Sequence, residues 1–162
     1  MNSLSDTVMN GVRMYPLGHF ALGYFAAYVV GRLTGEETSI PVVWFLSVAP
    51  DIDVLIPFLE HRGPTHSVVV MALLFLPVYI ASRRWLPYFA ALLSHSLVGD
   101  YFTGYGLKMF WPLSNAWIAA PWRFRISSRS LFMVEGVLFA AMAAFILYRR
   151  MREPHTEKAI AA

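Results

Sequence analysis

The sequence predicts an all-α, polytopic membrane protein of about five membrane helices, with a broken second helix and an interfacial or re-entrant loop before the last. Hydrophobic residues make up 57% of its 162 residues and charged residues only 14%, and the mean hydropathy of +0.52 lies well above that of soluble domains. Several apolar runs approach the roughly 20 residues that a helix needs to cross a bilayer core. We therefore expect an interfacial segment at 1–17, a membrane-embedded domain at 18–150 and a basic, mobile tail at 151–162.

The first two predicted helices differ in length. The first covers 19–33 and ends at the polar turn TGEETS. The second, at 40–49, is only about half a span at roughly 1.5 Å per residue, and it is interrupted at Pro50 and Asp51. Because a broken helix leaves backbone groups unpaired, such a break is tolerated in a membrane where it lines protein or a wet cavity.

Three further segments follow. The third helix is predicted at 67–81, and the turn SRR leads into a fourth from about 86 to 102. Residues 104–128 contain Gly, Pro and Trp without a clean period, which is typical of an interfacial or re-entrant loop. The last helix is predicted at about 130–148, before the basic tail that contains His155.

Composition excludes some classes of function. The chain has no cysteine, which removes disulfides, thiolate metal sites and cysteine nucleophiles. Its net charge is +3, but the basic residues lie at the ends of apolar runs and do not line one polar face. We interpret them as interfacial anchors and expect no nucleic-acid partner.

Ionisable residues concentrate in one half of the predicted membrane domain. When the chain is followed through alternating spans, four of the five histidines fall on the N-terminal side, together with four carboxylates in or beside the spans. Because a buried charge costs several kcal/mol, such groups persist where they pair or hold a metal. These residues are His19, Asp51, Asp53, His61, His66, His95, Asp100 and Glu135.

Imidazole and carboxylate groups predict a site for a divalent metal. They are the ligands of zinc and other borderline metals, and this many ligands permit one or two ions. Zinc is expected first, with manganese or iron as alternatives. His95 and Asp100 are five residues apart, one more than the i, i+4 spacing of an α-helical metal pair. Separate structural roles are the alternative: a hydrogen-bonded His19, a turn and cap at PDID, and an arginine partner for Glu135.

The motifs occur in a defined order: His19, PDID at 50–53, HRGPTHS at 61–67, SHSLVGD at 94–100 with Thr103 and Gly104, and WP at 111–112. In this order they resemble the LexA-regulated, membrane-bound metal-dependent hydrolase family over roughly residues 17 to 140. The resemblance implies a small helical membrane protein with a metal centre and hydrolase activity. More distantly, the succession of histidines and aspartates is similar to that of the zinc phospholipase C and P1 nuclease group.

The resemblance also implies roles for individual residues. Its implied ligands are His19, Asp51, His66, His95 and Asp100, with Asp53 and His61 as further ligands or as groups that contact the ligands. The spacing of His95 and Asp100 is one residue longer than the family's usual HxxxD. The later ligand cluster of the soluble phospholipases has no full counterpart here, and Glu135 is the one late candidate.

We predict hydrolysis of a phosphoester or ester bond in a phospholipid or lipid-linked substrate, because the site opens at headgroup depth. A metal ion activates water for such a reaction. Asp53 or Glu135 would accept its proton, and Arg62 would stabilise charge on a phosphate. Lys108, Arg123 and Arg125 would attract an anionic headgroup or anchor the chain.

Two other functions use the same residues. Intramembrane His and Asp side chains also form the pathways of proton or divalent-metal transporters and channels. A transporter usually continues its polar groups to the other face, whereas here that half of each helix is nearly all apolar, which favours the enzyme. A serine hydrolase would use Ser67 or Ser96, but the chain has no GxSxG motif.

The predicted location is the inner, cytoplasmic membrane, crossed several times. Lysines and arginines are divided almost evenly between the two faces. If Arg62 and part of the 104–128 loop belong to the site, the remaining anchors favour an active site on the outer face.

Overall fold

The computed structural model describes residues 14–103, 106–121 and 128–160, and this part of the chain is helical apart from its loops. Its one β-type pairing is an isolated antiparallel bridge between Leu107 and Ile118. The predicted all-α class is thus confirmed for the described residues. The α-helices are α1 (Pro16–Thr34), α2 (Ile40–Val48), α3 (Val68–Ala81), α4 (Leu86–Ser94) and α5 (Ser128–Ile160).

Helix α1 is the centre of the fold and packs against α2, α4 and α5. Small residues permit this close packing, because a Cβ atom on Gly23 would lie 1.8 Å from Oγ of Ser47 in α2. The helix begins at a proline, which suits the first turn, and ends at Gly35 with φ +73°. Its apolar side chains form a core with α2, α4 and α5 that contains Ala21, Tyr24, Ala27, Val43, Ala91 and Met142.

The outer helices carry an exposed apolar surface. Among the described residues, one segment is long and apolar enough to cross a membrane, Arg129–Arg152 of α5, and 17% of its most apolar window is buried. Helix α3 is also apolar but has only 14 residues. Exposed side chains such as Leu74 in α3 and Val137 in α5 would be unfavourable in water, so these faces suit contact with lipid.

The break predicted in the second helix is confirmed. Helix α2 ends at Val48, and a 3-10 helix at Ala49–Leu55 follows it directly. A second short 3-10 helix, Pro64–His66, leads into α3, whose first turn is capped when the Ser67 hydroxyl accepts from the backbone N–H of Val70 at 3.4 Å. These two turns bring the PDID and HRGPTHS motifs to the same end of the bundle.

The fourth and last helices differ from the prediction in detail. The fourth is α-helical only to Ser94 and continues as a π-helix at His95–Asp100. The last extends to Ile160, beyond its predicted end near 148.

The described part of the predicted interfacial loop, 106–121, folds back over the connection between α2 and α3. Its backbone N–H at Lys108 donates to the carbonyl of Arg62 at 2.9 Å, and the carbonyl of Met109 accepts from Val68 N–H at 2.9 Å. At its far end Ala120 N–H donates to the carbonyl of Tyr101 at 2.9 Å. The loop therefore fixes the connection against the end of the π-helix.

Candidate metal centre

Four side chains converge at one end of the bundle: Asp51, His66, His95 and Asp100. Nε2 of His66 lies 3.3 Å from Oδ1 of Asp51 and 3.1 Å from Oδ2 of Asp100. The Nε2 atoms of the two histidines are 3.1 Å apart, and that of His95 lies 3.5 Å from each of the same two oxygens. We call these four residues the metal cluster.

The cluster is buried except on one side. Both histidine side chains are fully buried and that of Asp100 is 3% exposed, whereas that of Asp51 is 35% exposed. Asp51 comes from the 3-10 helix after α2, which lies at the edge of the fold. The cluster therefore opens to the outside along Asp51.

The π-helix explains how His95 and Asp100 meet. In an α-helix, residues five apart point in directions that differ by about 140°, because each residue turns the chain by about 100°. A π-helix forms i→i+5 hydrogen bonds and brings residues five apart onto one face. Nε2 of His95 consequently lies 3.5 Å from Oδ2 of Asp100 despite the long spacing.

The distances between the four donor atoms fit one tetrahedral ion. Ligands about 2.0 to 2.2 Å from a tetrahedral zinc ion lie roughly 3.3 to 3.6 Å from one another. Five of the six separations in the cluster lie between 3.1 and 3.5 Å. Oδ2 of Asp100 is moreover buried, and the two imidazoles are its only polar neighbours among the described contacts. The cluster could therefore hold a metal ion.

The electrostatics of His66 favour a cation at the same place. This residue lies in the connection between α2 and α3. Burial lowers the pKa of its imidazole, but hydrogen bonds to three surrounding aspartates outweigh burial and raise the pKa to about 10. Negative charge thus converges on Nε2 of His66, where a proton or a metal ion compensates it.

The other ring nitrogens of the two histidines have partners that orient them. Nδ1 of His95 donates to the backbone carbonyl of Ser47 at 2.7 Å. Nδ1 of His66 lies 3.3 Å from Oδ2 of Asp53. With Nδ1 engaged in this way, each ring directs Nε2 into the cluster, which is the usual arrangement behind metal-bound histidines.

Asp53 organises the polypeptide behind His66. Its Oδ1 lies 2.9 Å from Nδ1 of His61, and its Oδ2 accepts from the Thr65 hydroxyl at 2.7 Å and from Arg62 N–H at 3.1 Å. Burial raises the pKa of Asp53, but hydrogen bonds from His61, His66 and Thr65 outweigh it and hold the pKa well below its usual range. Asp53, His61 and His66 form a second group that could hold a metal, and this group shares His66 with the cluster.

Arg62 contacts the cluster from the protein interior. The residue is 1% exposed, and its guanidinium donates to Oδ1 of Asp100 at 2.7 Å and to the Thr103 carbonyl at 2.9 Å. Its φ of +62° is left-handed, which costs a residue with a Cβ atom roughly 1 to 2 kcal/mol. This backbone conformation is held by bonds to Asp53 and Lys108. In this position Arg62 fixes Asp100 and does not face solvent.

His19 lies beside the cluster. Its ring stacks on that of His95, with centroids 3.9 Å apart and an interplanar angle of 16°, and its Nε2 is 3.9 Å from Oδ1 of Asp100. The close packing requires Gly99, where a Cβ atom would lie 2.4 Å from Cε1 of His19. His19 is therefore at the edge of the group that the resemblance implies, outside its four converging donors.

Glu135 does not reach the cluster. Its fully buried carboxylate accepts from the backbone N–H groups of Tyr15 at 2.9 Å and Gly18 at 3.1 Å. It thus caps the N terminus of α1 from a different helix and satisfies donors that an α-helix leaves free. Among the described contacts, Glu135 forms this cap and no ion pair with an arginine, and it is not among the donors that could hold a metal.

The remaining candidates have structural partners or lie outside the described residues. Lys108 pairs with Glu60 at 2.5 Å, and its Nζ lies 5.5 Å from the Trp117 ring centroid. The Ser67 hydroxyl donates to the backbone carbonyl of Trp111 at 2.5 Å, and Ser96 is buried. Among the described contacts, neither serine pairs with a histidine. Gly104, Arg123 and Arg125 lie outside the described residues, as does the side chain of His155.

The chain matches a protein-family model over residues 14–161, and that model is described as YdjM inner membrane protein. The match includes all five α-helices, the metal cluster and the residues that surround it. No curated protein and no solved structure matches the chain.

Proposed function

This chain belongs to the YdjM inner membrane protein family, and we propose that it is a membrane-bound metal-dependent hydrolase. Its substrate would be a phospholipid or another lipid-linked phosphoester or ester. The observation that carries this proposal is the cluster of four donor atoms, five of whose six separations are 3.1 to 3.5 Å, open on the side of Asp51. A metal site that keeps one open side is typical of catalysis.

We further propose that the chain crosses the inner membrane about five times, with the broken second helix and the described part of the loop, 106–121, at the face that carries the cluster. The apolar surfaces of α3 and α5 and the inner-membrane description of the family support this arrangement. The anchors at the opposite face, Arg32, Arg83, Arg84, Arg149, Arg150 and Arg152, favour the cytoplasm on that side. The cluster would then open at the outer face.

Zinc is the metal that the donor set favours, since two imidazoles and two carboxylates suit a borderline ion, with manganese or iron as alternatives. Asp51, His66, His95 and Asp100 would hold it. Such an ion supplies an activated water at neutral pH and positive charge for the oxygens of the reacting group. His19 lies close enough to Asp100 to join or orient this set.

The residues around the cluster would position its metal ligands and assist proton transfer. Asp53 orients His66, and Arg62 fixes Asp100, so both would keep the donors in place. The side chain of His61 is 21% exposed, and Asp53 engages its Nδ1, which leaves Nε2 for a proton. His61 is for these reasons the side chain beside the cluster that is best placed to accept a proton during hydrolysis.

A lipid substrate is supported by the surroundings of Asp51. The 3-10 helix that carries Asp51 also exposes Ile52, Val54 and Leu55, and Phe58 is exposed shortly after it. A polar opening beside apolar side chains suits a molecule with a polar headgroup and an acyl chain. The apolar core of α1, α2 and α4 lies beyond the cluster, which disfavours a polar pathway to the opposite face.

The test begins with metal content. Elemental analysis of detergent-purified protein should find about one to two equivalents of metal in the parent and in Glu60→Ala, and a loss of metal in His66→Ala and Asp51→Ala. Glu60 is a matched control because it is a carboxylate outside the cluster that pairs with Lys108. A parent without metal that takes none up would overturn the proposal.

The loaded protein would then be incubated with phospholipids, lipid phosphates and carboxylic esters of lipids, and the products identified by mass spectrometry. Hydrolysis that requires metal and is absent in both cluster variants supports the proposal. A metal-loaded protein that cleaves none of these lipids, yet moves protons or divalent ions across proteoliposomes, would assign the cluster to transport.

A further inference from the structure

A cavity lies at the opposite end of α1 from the metal cluster. It has a volume of about 420 Å³ and is formed by the end of α1, the α1–α2 turn, the first residue of α2 and the last apolar turns of α5. Pockets for small molecules typically measure about 300 to 1,000 Å³. His19 and Arg32 are separated along α1 by about 20 Å, so this cavity is a different site from the cluster.

Charges of both signs line this cavity. Arg32, Arg149 and Arg150 are present together with Glu36 and Glu37. Among the residues that the structure describes, Arg32, Arg150 and the two glutamates form no ion pair within 4.0 Å. Charged side chains that face one cavity without pairing to each other can bind a ligand that carries both signs.

Two tyrosines, Tyr24 and Tyr28, also line this cavity. The guanidinium of Arg149 lies 5.1 Å from the ring centroid of Tyr28, a cation–π distance, and Tyr24 is 5% exposed. Tyr28 therefore holds Arg149 at the cavity. Tyrosine is enriched where a membrane meets water, because its ring is apolar and its hydroxyl polar.

The cavity lies where lipid headgroups would be. Arg149 and Arg150 stand at the end of Arg129–Arg152, the segment that is long and apolar enough to cross a membrane. Arg32 likewise lies in the last turn of α1. Helix α2 also begins at Ile40 in the cavity wall with no side-chain cap, so its positive end adds to the attraction for a phosphate.

We propose that this cavity binds the headgroup of a zwitterionic phospholipid with a primary amine, such as phosphatidylethanolamine. Arg32 and Arg150 bind its phosphate, and Glu36 and Glu37 accept hydrogen bonds from its ammonium group. A purely anionic headgroup would leave the glutamates facing the ligand without a partner. A choline headgroup would match the charges but has no N–H to donate.

The test uses short-chain phospholipids added to the detergent-purified full chain, with binding measured by the shift in thermal unfolding. We expect the ethanolamine lipid to bind at least about tenfold more tightly than the matching choline or glycerol lipid, a difference of about 1.4 kcal/mol. Glycerophosphoethanolamine and inorganic phosphate, which have no acyl chains, should bind far more weakly. If either binds as tightly as the lipid, the ligand is a soluble phosphate compound and the lipid proposal fails.

Paired variants separate the two halves of the headgroup. Arg32→Gln with Arg150→Gln should weaken binding of the ethanolamine and glycerol lipids alike by at least about tenfold. Glu36→Gln with Glu37→Gln should remove the preference for the ethanolamine lipid while the glycerol lipid still binds. A preference that survives the glutamate changes would overturn the proposed recognition.

The matched control is Arg83→Gln with Arg84→Gln. These exposed arginines lie at the same predicted face but outside the cavity, so their loss should leave both affinities unchanged. An equal loss of binding in this control would mean that general surface charge, and not the cavity, attracts the lipid. Metal content should stay at the parent value in every one of these variants, which keeps this test independent of the proposed hydrolase.

Discussion

The two ends of helix α1 hold charged groups under opposite conditions. Near its N terminus, Glu135 and Asp100 are buried and lie against backbone N–H groups, histidines or an arginine. Near its C terminus, Arg32 and Glu37 are exposed and form no ion pair among the described residues. The two ends differ in burial. A charge removed from water needs protein partners, whereas an exposed charge is solvated by water and stays available to bind a ligand.

The largest effect is expected at His66, because its Nε2 contacts both aspartates of the cluster. The change His66→Ala should lower metal affinity by more than about 100-fold and abolish the proposed hydrolysis, since it removes a proposed ligand and not only a supporting contact. Elemental analysis and a competition titration with a chelator measure this loss. Retention of full metal content would mean that His66 is not a ligand and that the metal is bound by other residues.

Substitution of Asp53 tests whether this carboxylate binds a metal directly or only orients the histidines. In Asp53→Asn, we expect metal affinity to fall roughly 10- to 100-fold, because the amide cannot hold His66 and His61 as a carboxylate does. The metal content at saturation should equal that of the parent. If the content itself drops by one equivalent, Asp53 is a ligand of a second ion, as its group with His61 and His66 would permit.

Substitution of Glu135 tests whether this buried carboxylate of α5 stabilises the fold. The change Glu135→Gln should reduce the free energy of unfolding by about 1 to 3 kcal/mol, because the amide cannot satisfy the N–H groups of Tyr15 and Gly18 equally well. Thermal unfolding in detergent, followed by circular dichroism, measures the change. Metal content should stay constant, and its loss would return Glu135 to the list of ligands.

The smallest effect is expected at the exposed end of α1. Arg32→Gln and Arg150→Gln should change the free energy of unfolding without added lipid by no more than about 0.5 kcal/mol, as is usual for surface substitutions. Thermal unfolding in detergent, followed by circular dichroism, measures this change as well. A loss above about 1 kcal/mol would mean that these arginines have protein partners, and the contrast between the two ends would weaken.

Much of this arrangement could be predicted from the sequence. The apolar runs gave the positions of α1, α2 and α3 because each helix ends at a glycine, a proline or a polar turn. The convergence of Asp51 with His66 and His95 also followed, since alternating helices return these residues to the same end of the bundle. Among the described residues, length and apolarity identify one helix that could span a membrane, Arg129–Arg152.

Other features could not be predicted from a sequence. The π-helix depends on packing around His95 and Asp100, and no residue in HSLVGD specifies it. Capping by Glu135 joins residues 120 positions apart, so it depends on how α5 docks against α1. Arg62 combines a buried guanidinium with a left-handed backbone, which a residue other than glycine seldom adopts.

The π-helix also affects how the chain could change in length. Inserting one residue into an α-helix rotates everything that follows by about 100°. A π-helix absorbs one extra residue within a single turn, so Asp100 keeps its register with His95 and Tyr101 still reaches Ala120 of the following loop. Shortening HSLVGD by one residue would give an α-helical pair at i, i+4, facing the same way. His95–Asp100 is thus a place where evolution or protein engineering can add or remove a residue while the two side chains remain together.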